Sequence, residues 1–184
     1  MDSTTIIDEH RFFRLLLQAM SHPGTIYSLA HARQDVPPVL GLLSSLLDNE
    51  VGFAVVGDPD LAAAIGRHTG SRQVPLEAAD FLILANGCGG DSLALLRRGS
   101  REYPDQGATL VYLVDELQEG PGGIVLSGPG IAGKIALRIK GLAMRELECL
   151  RELNSEFPLG LDAILVDTLG QMACIPRSSR IGEN

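Results

Sequence analysis

Ile124-Val125-Leu126-Ser127-Gly128-Pro129-Gly130-Ile131-Ala132-Gly133-Lys134-Ile135-Ala136-Leu137-Arg138-Ile139-Lys140 decides what kind of α/β protein this chain makes. Its centre satisfies two phosphate-binding spacings at once, G-x-x-x-x-G-K and G-x-G-x-x-G, directly after a strand-like run. Both motifs work by aiming backbone N–H groups and the positive end of a following helix at phosphate oxygens. Three features oppose that use here. Ile135 stands where a Ser or Thr hydroxyl would hold magnesium, and Pro129 removes an N–H from the cradle. Most seriously, Lys134 to Lys140 alternates apolar and polar residues with the period of a strand, so no helix follows the glycines. The segment therefore reads as strand, tight turn, strand.

Outward from this segment the chain alternates strands with helices. Residues 8 to 20 carry apolar side chains at helical spacing, with Phe12, Phe13, Leu16, Leu17 and Met20 on the inward face and Asp8 and Glu9 near the positive end. Ser21-His22-Pro23-Gly24 stops that helix, and Thr25 to Leu29 reads as a short strand. Pro37-Pro38 opens a second helix with Leu40, Leu43, Leu46 and Leu47 inward. Val51 to Val56 is a buried strand. Asp58 and Pro59 then supply the N-cap and first position of a third helix, which Gly70 ends. Phe81 to Ala85 is a further buried strand, and the glycine-rich turn Asn86 to Gly90 follows. Asp91 is placed to cap a helix over Ser92 to Arg98. The remaining elements are a strand over Ala108 to Val114, the turn Gly120 to Gly123, a helix over Leu142 to Leu153 with Leu147 and Leu150 inward, and closing strands at Ala163 to Val166 and Met172 to Ile175. The order implies an α/β fold with a mixed, partly parallel sheet covered by helices on both faces, to which the 124–140 strands and the C-terminal strands add antiparallel members.

Length and composition narrow the function classes. The 184 residues suit one domain with a substantial core. A formal net charge of −8 argues against general affinity for nucleic acid or anionic lipid. The longest apolar runs are strand-length, short of the roughly 20 residues that a membrane span needs. The N-terminus lacks the basic and apolar regions of a secretory signal, and the chain reads as cytoplasmic. Cys88, Cys149 and Cys174 are odd in number and widely spaced, which makes reduced thiols the default.

Sequence-local chemistry is sparse. His10, His22, His31 and His68 show no metal-binding spacing; His22 suits a surface or capping role and His68 the negative end of a helix. There is no nucleophile elbow, and Cys88, in its glycine-rich turn, is the one cysteine expected to be exposed. Lys134 and Lys140, the only lysines, lie on a strand-like segment. No catalytic set, cofactor or metal site is read from the residues. Arg177 and Arg180, near the end of the last strand, are candidates to bind the anionic part of a substrate. Asp162 is placed to pair with one of them, and the rival reading of these arginines is an ion pair or a subunit contact.

Several segments carry a family resemblance. Phe157-Pro158-Leu159-Gly160-Leu161-Asp162 is followed by Ile175-Pro176-Arg177. Phe12 to Met20 ends in Pro23-Gly24, and Gly107-Ala108-Thr109-Leu110 precedes Leu126-Ser127-Gly128-Pro129-Gly130-Ile131. Together, in this order, they resemble the PhnH family of the bacterial carbon–phosphorus lyase system over about residues 11 to 181. The resemblance implies a single PhnH-like domain over residues 1–184. It also implies a three-layer α/β/α fold similar to the large domain of pyridoxal-phosphate-dependent transferases, without the cofactor. It implies a subunit that acts with PhnG, PhnI and PhnL to exchange the adenine of ATP for a phosphonate, giving a ribose 1-phosphonate 5-triphosphate, with no independent catalysis. The implied partners are a second copy, in a homodimer, and the lyase subunits PhnG, PhnI, PhnJ and PhnL. The alternative is a free-standing nucleotide-binding enzyme that uses the Gly128 to Lys134 loop.

Overall fold

Four apolar strands dictate the frame, because each is too hydrophobic to tolerate solvent on either face. They are β2 (Gly52–Val56), β4 (Phe81–Leu84), β5 (Thr109–Val114) and β8 (Asp162–Asp167), hydrogen-bonded in that order and all parallel. A computed structural model of the chain describes residues 3–29 and 36–183. Three more strands complete the sheet. β3 (Arg72–Gln73) lies parallel at one edge; at the other, β9 (Gln171–Ile175) pairs antiparallel with β8, and β1 (Tyr27–Ser28) pairs antiparallel with β9, in the order β1-β9-β8-β5-β4-β2-β3.

Alternation along the strands sorts the core into two clusters. Phe53, Ile83, Val111, Ile164 and Cys174 face the helices α1 (Ser3–Ser21), α2 (Pro38–Ser44) and α3 (Pro59–Thr69), which contribute Phe12, Leu16, Leu42, Leu43 and Ile65. On the opposite face Leu82, Leu84, Leu110, Tyr112 and Leu165 meet a different layer. This layer contains β6 (Glu116–Ser127), β7 (Ile135–Lys140) and α4 (Met144–Leu153), through Leu117, Ile124, Leu126, Leu137, Leu147 and Leu150.

The second layer corrects the expected architecture in one respect. The 124–140 strands do not extend the main sheet; β6 pairs with β7 and with β10 (Arg180–Glu183) in a separate three-stranded antiparallel sheet, ordered β10-β6-β7. The cause is local: β5 ends at Val114 and only Asp115 separates it from β6, so the chain folds over the sheet face. The layers are therefore helices, mixed sheet, and a small sheet with one helix.

Local reasoning holds wherever the determinants are local. Asp58 Oδ1 accepts a hydrogen bond from the Leu61 N–H at 2.9 Å, Pro59 starts α3, and Gly70 closes it at φ 74°. Ile135–Lys140 is a strand, as its alternation dictates. Other details differ. α1 begins at Ser3, so Asp8 and Glu9 lie inside it rather than in its first turn. Phe13 and Leu17 are 44% and 52% exposed, because they form a second row 100° away from the buried Phe12–Leu16 row. In α2, Leu42 rather than Leu40 is buried with Leu43. Residues 90–95 form a 3₁₀ helix with Gly89, not Asp91, at its N-cap.

Candidate functional site

Parallel strands release their connections at the carboxyl ends, and such ends are where open α/β sheets leave room for ligands. Here the segments following β4, β5 and β8, together with the start of α2, border a half-open cavity of about 590 Å³. That falls within the range of about 300–1,000 Å³ found for small-molecule sites. Pro37, Pro38, Val39, Leu113 and Val166 give it apolar walls, and Asn86, Asp115, Asp167 and Thr168 supply its polar groups.

Two of these polar groups have structural duties. Asp167 is buried, and its Oδ1 accepts from the N–H groups of Leu169 and Gln171 at 2.9 and 2.8 Å, which shapes the turn between β8 and β9. Its Oδ2 accepts from the Leu117 N–H at 3.1 Å, tying that turn to the start of β6. Thr168 donates its hydroxyl to the Asp115 carbonyl at 3.0 Å. Asn86 and the Asp115 side chain sit at exposed positions on the rim.

A sheet end of this kind ordinarily presents helix N-termini to an anion. In this chain the ends of α3 and of the 3₁₀ segment after β4 are filled from within, and that of α2 has no side-chain cap. At the start of α3 the Leu61 N–H donates to Asp58. α2 begins at Pro37-Pro38, two residues without an N–H. At the 3₁₀ segment after β4, the Gly90 N–H donates to Glu146 Oε1 at 2.8 Å. Among the described residues lining the cavity there is no Lys or Arg.

Glu146 is the residue that pattern reading misses. It is 3% exposed and also accepts from the Tyr112 hydroxyl at 3.1 Å and the Cys88 thiol at 3.6 Å. A buried carboxylate is tolerated because its oxygens are satisfied by three donors. One signal was available in the sequence: Glu146 lies four residues before the buried Leu150, on the same helix face. Burial, followed by the Glu146 charge, pushes the Tyr112 hydroxyl well above the ordinary tyrosine range and raises the Cys149 thiol. Gly87, at φ 60°, runs so close to the loop after β7 that a Cβ would meet the Gly141 carbonyl. The glycine-rich turn is thus a backbone-to-backbone contact. Cys88 is exposed on it.

The candidate arginines lie at the other end of the sheet. Arg177 grips Asp162, which opens β8, through Nε at 3.0 Å and Nη2 at 2.6 Å, both on Oδ2. Its backbone N–H reaches Oδ1 at 2.8 Å, and its Nη1 donates to the Pro104 carbonyl at 2.7 Å. The pair is largely buried, at 12% and 20% side-chain exposure. Gly107 and Gly160 pack directly against Arg177, and Asn154 clamps the segment through both the N–H and the carbonyl of Leu161. Arg180 is exposed and opposes Ser127 where β10 meets β6, so the structure does not bring the two arginines into one cluster with the cavity.

The Gly128 to Lys134 loop also lies away from the cavity. Gly128 packs on the Ser178–Arg180 backbone, and Gly130 is so near Ser21 that a Cβ would strike its carbonyl. With β7 behind it, the loop has no helix to point at a phosphate. Among the histidines, His22 Nδ1 is 3.0 Å from the Gln18 carbonyl at the end of α1, and His68 sits in the last turn of α3. His31 falls outside the described residues.

Comparison with known proteins agrees with the signature read from the sequence. The model of the family described as bacterial phosphonate metabolism protein (PhnH) matches residues 2–182. The chain is 37% identical over 173 residues to a putative C-P lyase subunit protein HtxG of Stutzerimonas stutzeri, covering 92% of this chain and 83% of that one. It is 30% identical over 188 residues to the alpha-D-ribose 1-methylphosphonate 5-triphosphate synthase subunit PhnH of Rhizobium meliloti (strain 1021), covering 96% and 91%. With a family match of that extent and the signature segments folded against one another, the chain belongs to the PhnH family.

Proposed function

We propose that this chain is a subunit of a phosphonate-degrading assembly, needed with PhnG, PhnI and PhnL to replace the adenine of ATP by a phosphonate. The product is a ribose 1-phosphonate 5-triphosphate. The observation that carries this reading is the near full-length match to PhnH, with a relative whose name specifies a synthase subunit. In this reading the chain acts as one domain over residues 1–184 in the cytoplasm, as a homodimer docked to PhnG, PhnI, PhnJ and PhnL. Its architecture is taken as kin to the large domain of pyridoxal-phosphate transferases.

The chain contributes surface and positioning rather than a reaction centre. Supporting this, the charged groups near its turns are engaged within the chain: Asp58 caps α3, Asp167 shapes a turn, Glu146 holds the Gly90 loop, and Asp162 holds Arg177. Arg177 is proposed to keep the end of β9 in place, with the exposed Arg180 nearby as the guanidinium available to a substrate anion or a partner subunit. Co-expression with PhnG, PhnI and PhnL followed by affinity capture on this chain tests the assignment. Recovery of a stoichiometric complex supports it, and recovery of this chain alone contradicts it.

A further inference from the structure

We propose that the cavity at the carboxyl ends of β4, β5 and β8 receives an uncharged purine base, the adenine portion of the nucleotide, and not its phosphates. This inference rests on the subunit reading above, which makes adenine a leaving group of the assembly.

Three properties of the cavity favour a flat heterocycle bearing N–H donors. Its volume of about 590 Å³ exceeds what a single base needs and lies in the small-molecule range. Its walls at Pro37, Val39, Leu113 and Val166 are aliphatic, suited to the faces of a ring. Its polar rim is rich in acceptors: the Asp115 carboxylate and the Asn86 amide, beside an Asp167 whose oxygens already hold three backbone N–H groups. A side-chain amide matches the N6/N7 edge of adenine with one acceptor and one donor. A carboxylate accepts from an amino group and repels a phosphate.

Anions are disfavoured by the same geometry. Two carboxylates border the cavity, and none of the described lining residues is cationic. The ends of α3 and of the 3₁₀ segment are taken by Asp58 and Glu146, and α2, which has no side-chain cap, lacks the N–H groups of Pro37 and Pro38. The triphosphate of a bound nucleotide therefore points out of the cavity, toward cations supplied by another subunit.

Calorimetric titration of the full chain with adenine, adenosine, ATP and inorganic triphosphate tests the inference. Adenine and adenosine are expected to bind, and triphosphate not to bind. Asn86→Ala and Asp115→Asn, both at exposed positions, are expected to weaken adenine at least tenfold while leaving the melting curve unchanged. Triphosphate binding as tight as adenine overturns the inference, as does wild-type affinity in both variants. A chain that enters the PhnG–PhnI–PhnL complex yet binds no adenine, alone or in the complex, sinks this inference and leaves the subunit reading standing. A chain that binds adenine but enters no complex does the reverse.

Discussion

The two ends of the parallel sheet contrast sharply in what their residues do. At the amino end, Pro104, Gly107, Asn154, Gly160, Asp162 and Arg177 are locked together by an ion pair and hydrogen bonds. At the carboxyl end, the segments after β4, β5 and β8 stand apart around a cavity whose rim residues, Asn86 and Asp115, are exposed. Two of the segments that carry the family resemblance, Phe157 to Asp162 and Ile175 to Arg177, belong to the locked end, together with Gly107. The cavity is built from residues that no motif marks. A signature of this kind reports how the fold is fastened, and the place where a ligand fits has to be found in three dimensions.

Variants at the two ends should separate accordingly. The largest effect is expected at the fastened end. Arg177→Ala leaves the Asp162 carboxylate and the Pro104 carbonyl without their guanidinium, a loss of about 3 kcal/mol by analogy with other broken buried pairs. Arg177→Lys, which cannot reproduce the fork, should fall between that variant and wild type. Urea denaturation measures both, and an Arg177→Ala midpoint equal to wild type would remove Arg177 from the fastening role.

Glu146→Ala should come next. It orphans the Tyr112 hydroxyl and the Gly90 N–H, costing about 2 kcal/mol, and it should loosen the glycine turn, read as faster hydrogen exchange over residues 86–90. Glu146→Gln keeps a carbonyl acceptor and should be milder. Equal behaviour of the two variants would show that the charge, not the acceptor, matters.

Alkaline pH probes the same knot more gently. Burial and the Glu146 charge raise the Tyr112 hydroxyl in the folded state, so above about pH 10 the unfolded chain sheds this proton while the folded chain keeps it. Folding stability is therefore fully present below that pH and falls as pH rises through it. The raised Cys149 and Cys174 thiols add losses of the same sign from about pH 9. Tyr112→Phe should flatten the decline above pH 10 and leave the part due to the cysteines. An unchanged profile in this variant would contradict the burial argument.

The smallest effect is expected at Lys134→Ala. The loop that mimics a phosphate cradle ends there, but a strand follows it. Melting temperature and ATP titration should match wild type. Lost ATP affinity would reopen the nucleotide-binding reading and dissolve the contrast between the two ends.

What the sequence made legible follows from how far each determinant acts. α3 was readable because Asp58, Pro59 and Gly70 are its own residues. The 135–140 strand was readable from alternation alone. Asp91 does not cap the segment that follows it, because the competing carboxylate, Glu146, arrives from 56 residues away to take the Gly90 N–H. The small sheet was assigned to the wrong layer because periodicity reveals extended backbone but not which partner it takes, and β3 is too short for any period to show. Of the site, the Asp162–Arg177 pairing was open in sequence as one of two readings. The cavity was invisible, since Asn86, Asp115 and Thr168 become neighbours only once β4, β5 and β8 lie side by side.

Phosphorus-31 NMR of ATP and methylphosphonate, incubated with the purified chain, with PhnG, PhnI and PhnL, and with all four together, bears most directly on the account. A ribose 1-phosphonate 5-triphosphate signal is predicted only in the complete mixture. Turnover by this chain alone, or full turnover without it, would contradict a required and non-catalytic subunit.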